Sequence, residues 1–437
     1  MEEAVRAMAR TALAWQKPDG GEPMMGDSDD IDQRDLVTLA AAIFRDGALK
    51  SAAYPQLDFD GVWELGAGEA AAYANLPAQA PARTDFALGD SGNYVLRSGW
   101  GREDSWVRFH CGLLGAGHGH ADQLHLDVTA FGEDVLTDSG RYTYVFGPDR
   151  REFKDLSGHN TVAVDGLPLY QCRDSWECKG LSRAVNRVFY SDDRYGYVEG
   201  GHLGWYEHGV FVNRRVVFLK PDIVVAVDEF YAGQPHAYRQ FFHWGETGKA
   251  VPEEDGVRWA GRSAAARLRL VSAAPVVASL KRGRVARHYN RAEENDVLET
   301  TVQGQGFVSV WSVLALDRAG TEEPLSVEKL PVDSNFKGIR FEDREIEAIR
   351  ARVRGAGWWW CPIWSTPVPP TPSTPGAAAA SAGWRCSTRP PARGRPAPSW
   401  PGDTEIRRRG KPWAGIKRCM REMAGGRPLA PGRGASS

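Results

Sequence analysis

Apolar residues in the first sixty positions recur at a helical spacing. VRAMARTALAW (5–15) and DLVTLAAAIFRDG (35–47) each read as one helix, the second with Asp30 or Asp32 as N-cap and Gly47 as its C-terminal stop. Two helices cannot enclose a core alone, so residues 1–60 are expected to end a larger helical unit or to form a collar on the next domain. From about 85 to 350 the period changes to two. SWVRFHCG, HLDVTAFG, DVLTDSG, NTVAVDG, FVNRRVVFL, DIVVAVDEF, RLRLVSA and FVSVWSVLAL are short, rich in β-branched and aromatic residues, and separated by turn clusters. GED (132–134) and KPD (220–222) fall where hairpin connections belong. Antiparallel strands without helical crossovers predict a mainly β fold, a large antiparallel β-sandwich preceded by short helices. No fixed-period repeat is present, which argues against a solenoid or propeller.

Periodicity is lost after Gly355. Of 27 prolines, 14 lie within residues 357–437, among arginine, glycine and alanine. Such a stretch has little to bury against its ordering entropy. It reads either as a disordered linker with a basic tail or, the favoured reading, as the product of a reading-frame error in a GC-rich gene. No function is taken from it.

A chain of 437 residues with a net charge of −2 offers no electrostatic case for nucleic acid as a partner. The start, MEEAVRAMARTALAW, carries charges throughout and lacks the apolar run of a signal peptide, and no stretch is apolar enough for membrane insertion. The six cysteines show no zinc-ribbon spacing, and Cys172 and Cys178 are read either as a short-loop disulfide or as two thiols.

Chemistry concentrates in GAGHGHADQLHLDV (115–128), which holds three of the chain's ten histidines. On a strand, His118 and His120 would project from one face, and the glycines around them leave room for another group to approach. His125 and Asp127 have the parity of an ordinary solvent face, opposite Leu124, Leu126 and Val128. Asp138 ends the next β-run and His159, followed by Asn160, opens another. Together these form a nitrogen and oxygen donor set suited to zinc or a similar divalent ion, with Asp122 and Asn160 orienting the imidazoles. Spacing leaves open a set of hydrogen-bonded histidines without metal. A cupin-like metal oxygenase fits Gly112 and His118–His120, but Leu124 and His125 stand where its glutamate ligand belongs. The acidic loop GDSDDID (26–32) lacks the pattern of an EF-hand and is read as a helix N-cap loop at the cleft rim.

GHGHADQLHLDVTAFGEDVLTDSGRYTYV followed by SGHNTVAVDG resembles the heparinase II/III family, with its alginate and oligoalginate lyase relatives, and KPDGGEPMMGDSDDIDQRDLVTLAAAIF resembles the end of the helical toroid that precedes their sandwich. The resemblance covers roughly residues 1–350. It implies that His120, Asp138 and His159 are the ligands of a structural zinc and that His118 faces the substrate. It also implies β-elimination on a uronate-containing acidic polysaccharide, and a periplasmic, secreted or otherwise cell-envelope location. Such chemistry needs a base near neutrality, a proton donor and groups that neutralise the uronate carboxylate. His118 suits the base or neutralising role, and Tyr142 or Tyr144 would line the cleft unless both pack into the sandwich. The family's catalytic tyrosine and its asparagine or histidine pair lie on the toroid, upstream of the matched segment, so no residue here is assigned to them. This chain alone is therefore expected to turn over weakly or not at all. The alternative is a non-catalytic, zinc-stabilised carbohydrate-binding sandwich that uses the aromatics of WECKG (176–180) and GHLGWYEHG (201–209).

Overall fold

The computed structural model describes residues 1–180, 182–330 and 347–353 in full, and as backbone alone the strand residues 335–336, 339–340, 346 and 357–364. The backbone of Gly357–Trp364 pairs with Ile346–Val353, so the run expected to begin the tail starts with a strand. The rest of that tail, 365–437, lies outside the described residues.

The N-terminal segment forms five helices rather than two: α1 (Glu2–Trp15), α2 (Arg34–Phe44), α3 (Gly47–Ser51), α4 (Phe59–Leu65) and α5 (Ala67–Ala74). The last three are too short for a helical apolar pattern to declare itself, but α3 and α4 have side-chain caps. Asp46 accepts from Ala48 N and Leu49 N, and Asp58 accepts from Gly61 N at 2.8 Å. Gly47 therefore opens a helix instead of stopping one, and α2 ends at Arg45 in the left-handed conformation, φ 51°. Asp32 accepts from Arg34 N at 2.9 Å near the start of α2, while Asp30 turns away to Lys17 and Arg287. Leu13, Val37, Ala41, Leu49 and Tyr73 make this unit's own small core.

Five strands form the first antiparallel sheet in chain order: β1 (Phe86–Leu88), β2 (Asn93–Arg97), β3 (Trp106–His110), β4 (His125–Ala130) and β5 (Glu133–Leu136). The β4–β5 turn is Phe131–Gly132, both at positive φ (52° and 76°), one residue before the expected GED. After α6 (Pro148–Lys154) and β6 (Val162–Val164), a two-strand ribbon joins β7 (Gln171–Cys172) to β8 (Cys178–Lys179). Ten strands make the second sheet. Its main path runs β13 (Lys249–Glu253), β14 (Gly256–Ala260), β15 (Ala264–Ser272), β17 (Arg291–Arg318), β12 (Ile223–His243), β11 (Val210–Leu219), β10 (Tyr195–His202), β9 (Ala184–Ser191). β6 lies along the far half of β12, and β16 (Val276–His288) along the near half of β17. KPD is the β11–β12 turn, as expected.

The two sheets close on one core. Leu96, Val107, Phe109, Leu126 and Val128 meet Val212, Val216, Phe218, Val224, Phe230 and Trp244. The opposite face of β11, β12 and β17 is buried too, where Val217, Val225, Val227 and Trp311 pack against Ile349, Ala351 and Val353 of a smaller sheet. Burial on both faces explains why FVNRRVVFL and DIVVAVDEF are apolar in both parities.

Candidate metal centre and cleft

Residues 115–124 form a loop that precedes β4, so His118 and His120 do not sit on a strand as expected. The loop folds back tightly on itself. A Cβ on Gly119 would lie 1.6 Å from the carbonyl oxygen of Leu114, so only glycine fits there. The two histidines then separate by depth: His120 is fully buried, and the His118 side chain is 67% exposed.

What holds them is the segment between α1 and α2, which lies across the first sheet. Arg97 donates to Ala14 O at 3.3 Å and to Gln16 O, and Arg108 donates to Met24 O at 3.3 Å. Asp27 N then donates to His118 O at 3.0 Å. The Asp27 carboxylate reaches His118 Nδ1 at 3.0 Å and His120 Nε2 at 2.9 Å. Arg150 of α6 grips the same carboxylate with both terminal nitrogens, at 2.5 and 2.8 Å. Burial pushes the Asp27 carboxyl up, but its bonds to His120 and Arg150 more than reverse this and hold it well below the usual range.

A carboxylate only accepts, so each imidazole nitrogen facing Asp27 carries a proton. That leaves Nε2 as the His118 nitrogen not turned to Asp27, while neutral His120 keeps a lone pair on Nδ1. That Nδ1 is buried without a hydrogen-bond partner, and so is Nε2 of His159, whose Nδ1 donates to Asp138 Oδ2 at 2.7 Å. His120, Asp138 and His159 each offer one ligand atom, all within 4.8 Å of one another and all buried. Burial pushes the Asp138 carboxyl up, but the neighbouring His159 and His125 more than offset it and hold it low. Burial lowers His120, partly countered by Asp27, whereas at His159 burial is outweighed by Asp138, which raises it. Two partnerless imidazole nitrogens beside an ionised carboxylate fit the donor set of zinc.

The solvent-face reading is corrected. His125 and Asp127 are buried, not a solvent face: His125 Nε2 donates to Asp127 Oδ1 at 2.7 Å, and Arg108 pairs with Asp127 at 2.6 Å. The N-terminal segment covers that side of the sheet, and one strand's parity cannot show it. Asp122 faces His110 at 3.6 Å. Asn160 ties backbones together, donating to Leu126 O and Thr137 O and accepting from His243 N, while its own N donates to His125 Nδ1. Of the tyrosines, Tyr142 stacks on Phe153 with ring centroids 5.5 Å apart, and Tyr144 stands 6.0 Å from His118. In GHLGWYEHG, Trp205 is a core residue, 1% exposed. Cys172 and Cys178 are joined in a disulfide. The acidic loop does more than cap a helix: Asp27 braces both histidines and Asp29 binds Arg141 twice at 2.8 Å. Asp27 and Arg150 escape sequence reasoning because 91 and 123 residues separate Asp27 from its partners His118 and Arg150. The density of carboxylates in residues 26–32 was the available signal.

The family model described as heparinase II/III-like, C-terminal, matches residues 80–326. Among solved structures, a mutant heparan sulfate lyase from Pedobacter heparinus superposes with a TM-score of 0.66 at 15% identity, covering 82% of this chain and 52% of that one. A heparinase III gene product gives 0.65 at 14%, covering 82% and 52%, and another heparinase III gives 0.65 at 16%, covering 83% and 55%. No curated protein matches the chain in sequence. The chain thus spans about half the length of these solved lyases. Its H-x-H, D-x-G and H-N-T-V segments bring His120, Asp138 and His159 into one buried group, and the chain belongs to the heparinase II/III-like C-terminal family.

Proposed function

We propose that this chain is the sandwich portion of a polysaccharide lyase that cleaves uronate-containing acidic glycans by β-elimination. The observation that carries this reading is the exposed His118, held by Asp27 directly beside the buried His120–Asp138–His159 group. In the reaction a base removes the C5 proton of the uronate, and the C5–H electron pair becomes the C4=C5 double bond. The C4–O bond breaks and the departing oxygen takes a proton. His118, with Nδ1–H given to Asp27, offers Nε2 at the cleft either to take the C5 proton or, when protonated, to pair with the uronate carboxylate. Tyr144 is the tyrosine near enough to line that cleft. His120, Asp138 and His159 would hold zinc, which when bound supplies a cross-link between the histidine loop and the segments after β5 and α6. Asp27 orients His120 for it.

The Cys172–Cys178 disulfide supports a periplasmic, secreted or other cell-envelope location, because such bonds persist in oxidising compartments. Among the described residues no helix is long and apolar enough to cross a membrane.

The test is to incubate the chain with heparan sulfate, heparin, alginate and a neutral glucan, following the ultraviolet absorbance of the unsaturated uronyl product and, by calorimetry, oligosaccharide binding. We expect binding to one acidic glycan class and none to the glucan. Turnover should be lower than that of a full-length heparinase III by roughly 10²–10⁴-fold, the usual worth of a missing general acid or base. His118→Ala should remove what turnover there is. Binding with no double bond formed at all favours the zinc-stabilised carbohydrate-binding reading, and absence of binding to every acidic glycan overturns both.

A further inference from the structure

Beside His118 the protein has built an aromatic wall that the elimination chemistry does not itself require. The β7–β8 ribbon, closed by Cys172–Cys178, carries Trp176 at its tip, 45% exposed. Its indole stands 5.0 Å from the His118 ring at 72° and 4.9 Å from Tyr144. Tyr144 lies in turn 5.5 Å from Tyr289, itself 41% exposed at the β16–β17 turn. His118, Trp176 and Tyr144 therefore form a triangle of rings, with Tyr289 against Tyr144.

Exposed aromatics usually reflect a lack of polar surface to cover a protein, but this one is fixed from several sides. Asp174 Oδ1 accepts from Trp176 N at 2.8 Å and from Glu177 N at 2.7 Å, shaping the ribbon tip. Ser175 Oγ donates to Tyr144 O at 2.7 Å, and Arg150, already bound to Asp27, donates to Ser175 O at 3.4 Å. The indole's own backbone rests on Gly117, where a Cβ would come within 3.1 Å of Trp176 O. A disulfide, a side-chain turn and a glycine contact thus hold one large apolar ring in water, edge-on to the candidate reactive histidine. With its backbone so held and its indole between His118 and Tyr144, Trp176 has less conformational entropy to lose when a ligand covers it.

We infer that Trp176 is a substrate-positioning residue that stacks on a pyranose ring of the acidic glycan and sets the sugar's reacting carbons against His118 Nε2. The inference rests on the lyase reading and adds to it the residue that binds the ring itself. The apolar C–H face of a pyranose matches an exposed indole, while the carboxylate of the same sugar is left for the polar groups around His118.

The experiment is calorimetric binding of a heparan sulfate tetrasaccharide and an alginate tetrasaccharide to the whole chain and three variants, with a thermal melt of each. Trp176→Ala should weaken binding of the recognised tetrasaccharide about tenfold or more, with no fall in melting temperature. Trp176→Phe should recover most of the affinity, because a ring face remains. Cys172→Ser combined with Cys178→Ser keeps the indole but frees its ribbon, and should weaken binding by a smaller factor. Unchanged affinity in Trp176→Ala overturns the inference while leaving the lyase reading intact. Equal losses in Trp176→Phe and Trp176→Ala also overturn it, since the indole N–H and not the ring face would then be responsible. Failure of the unaltered chain to bind either tetrasaccharide overturns the inference together with the reading it rests on.

Discussion

His118 and His120 stand two positions apart in sequence, yet Asp27 and the loop around Gly119 give them different tasks. His120 is fully buried with an unpaired Nδ1, and His118 faces water. If His120, Asp138 and His159 share one zinc, the ion contributes to folding directly, because an unfolded chain cannot preorganise its ligands. His120→Ala should then lose bound metal and melting temperature together. His118→Ala removes an exposed ring and should stay within about 0.5 kcal/mol of the parent while keeping its metal. Elemental analysis run beside a thermal melt of both variants decides the matter. Metal loss in His118→Ala with retention in His120→Ala reverses the two roles, and metal absent from the parent removes the zinc reading. The grouping of His120, Asp138 and His159 is legible in sequence through H-x-H, D-x-G and H-N-T-V, because these are short local patterns. Asp27 is not, since its role exists only once a distant segment crosses the sheet.

At the scale of elements, period-two strands are readable wherever one face meets water or where both faces are buried by β-branched residues. β4 is an exception: it alternates as a half-exposed strand should, yet every residue from His125 to Ala130 is buried, because the segment between α1 and α2 roofs its second face. Its polar parity is filled by a paired network, His125–Asp127–Arg108, and not by solvent. Helices α3, α4 and α5 escape detection because five to eight residues hold too little period. The loop 115–124 departs from the expected strand because its glycines let the chain turn back on itself instead of leaving space for a ligand, and this is testable at one atom. In Gly119→Ala the new Cβ would collide with the Leu114 carbonyl, a backbone atom with nowhere to yield. The variant should lose about 1–3 kcal/mol, the usual cost of overpacking, and release metal as His120 shifts. Gly115→Ala is the control for local rigidity. Nothing lies near its Cβ, although its φ of +83° adds strain, so it should destabilise while keeping metal. Metal retained by Gly119→Ala would show that the loop does not fix the site.

For the molecule as a whole, the response to acid is set by which buried groups cannot take a proton in the native state. His202 on β10 is fully buried against Trp205, its Nδ1 accepts from Gly204 N at 3.1 Å, and its Nε2 has no partner. Burial alone lowers it from 6.5 to about 3. The unfolded chain therefore takes up a proton below pH 6.5 that the folded chain refuses until near pH 3. Stability is whole above pH 6.5 and declines as pH falls through that window, by about 1.4 kcal/mol per pH unit at its steepest. A second loss occurs at lower pH, where the helical segment is tied to the sandwich. Asp134 of β5 takes Lys17 at 3.1 Å and Arg287 at 2.9 Å, and both cations also hold Asp30. Burial pushes the Asp134 carboxyl up, but Lys17 and Arg287 overcome this and hold it well below its ordinary 3.8. A depressed carboxylate contributes its stability above the unfolded value and gives it up as pH drops through the native one. Urea denaturation of the metal-loaded chain from pH 8 to pH 3 should accordingly show a first decline beginning near pH 6.5 and a second below pH 4. His202→Phe, which cannot titrate, should make the first shallower and leave the second. An unchanged decline in that variant would move its source to the other buried histidines, His110 and His243, whose values burial also lowers.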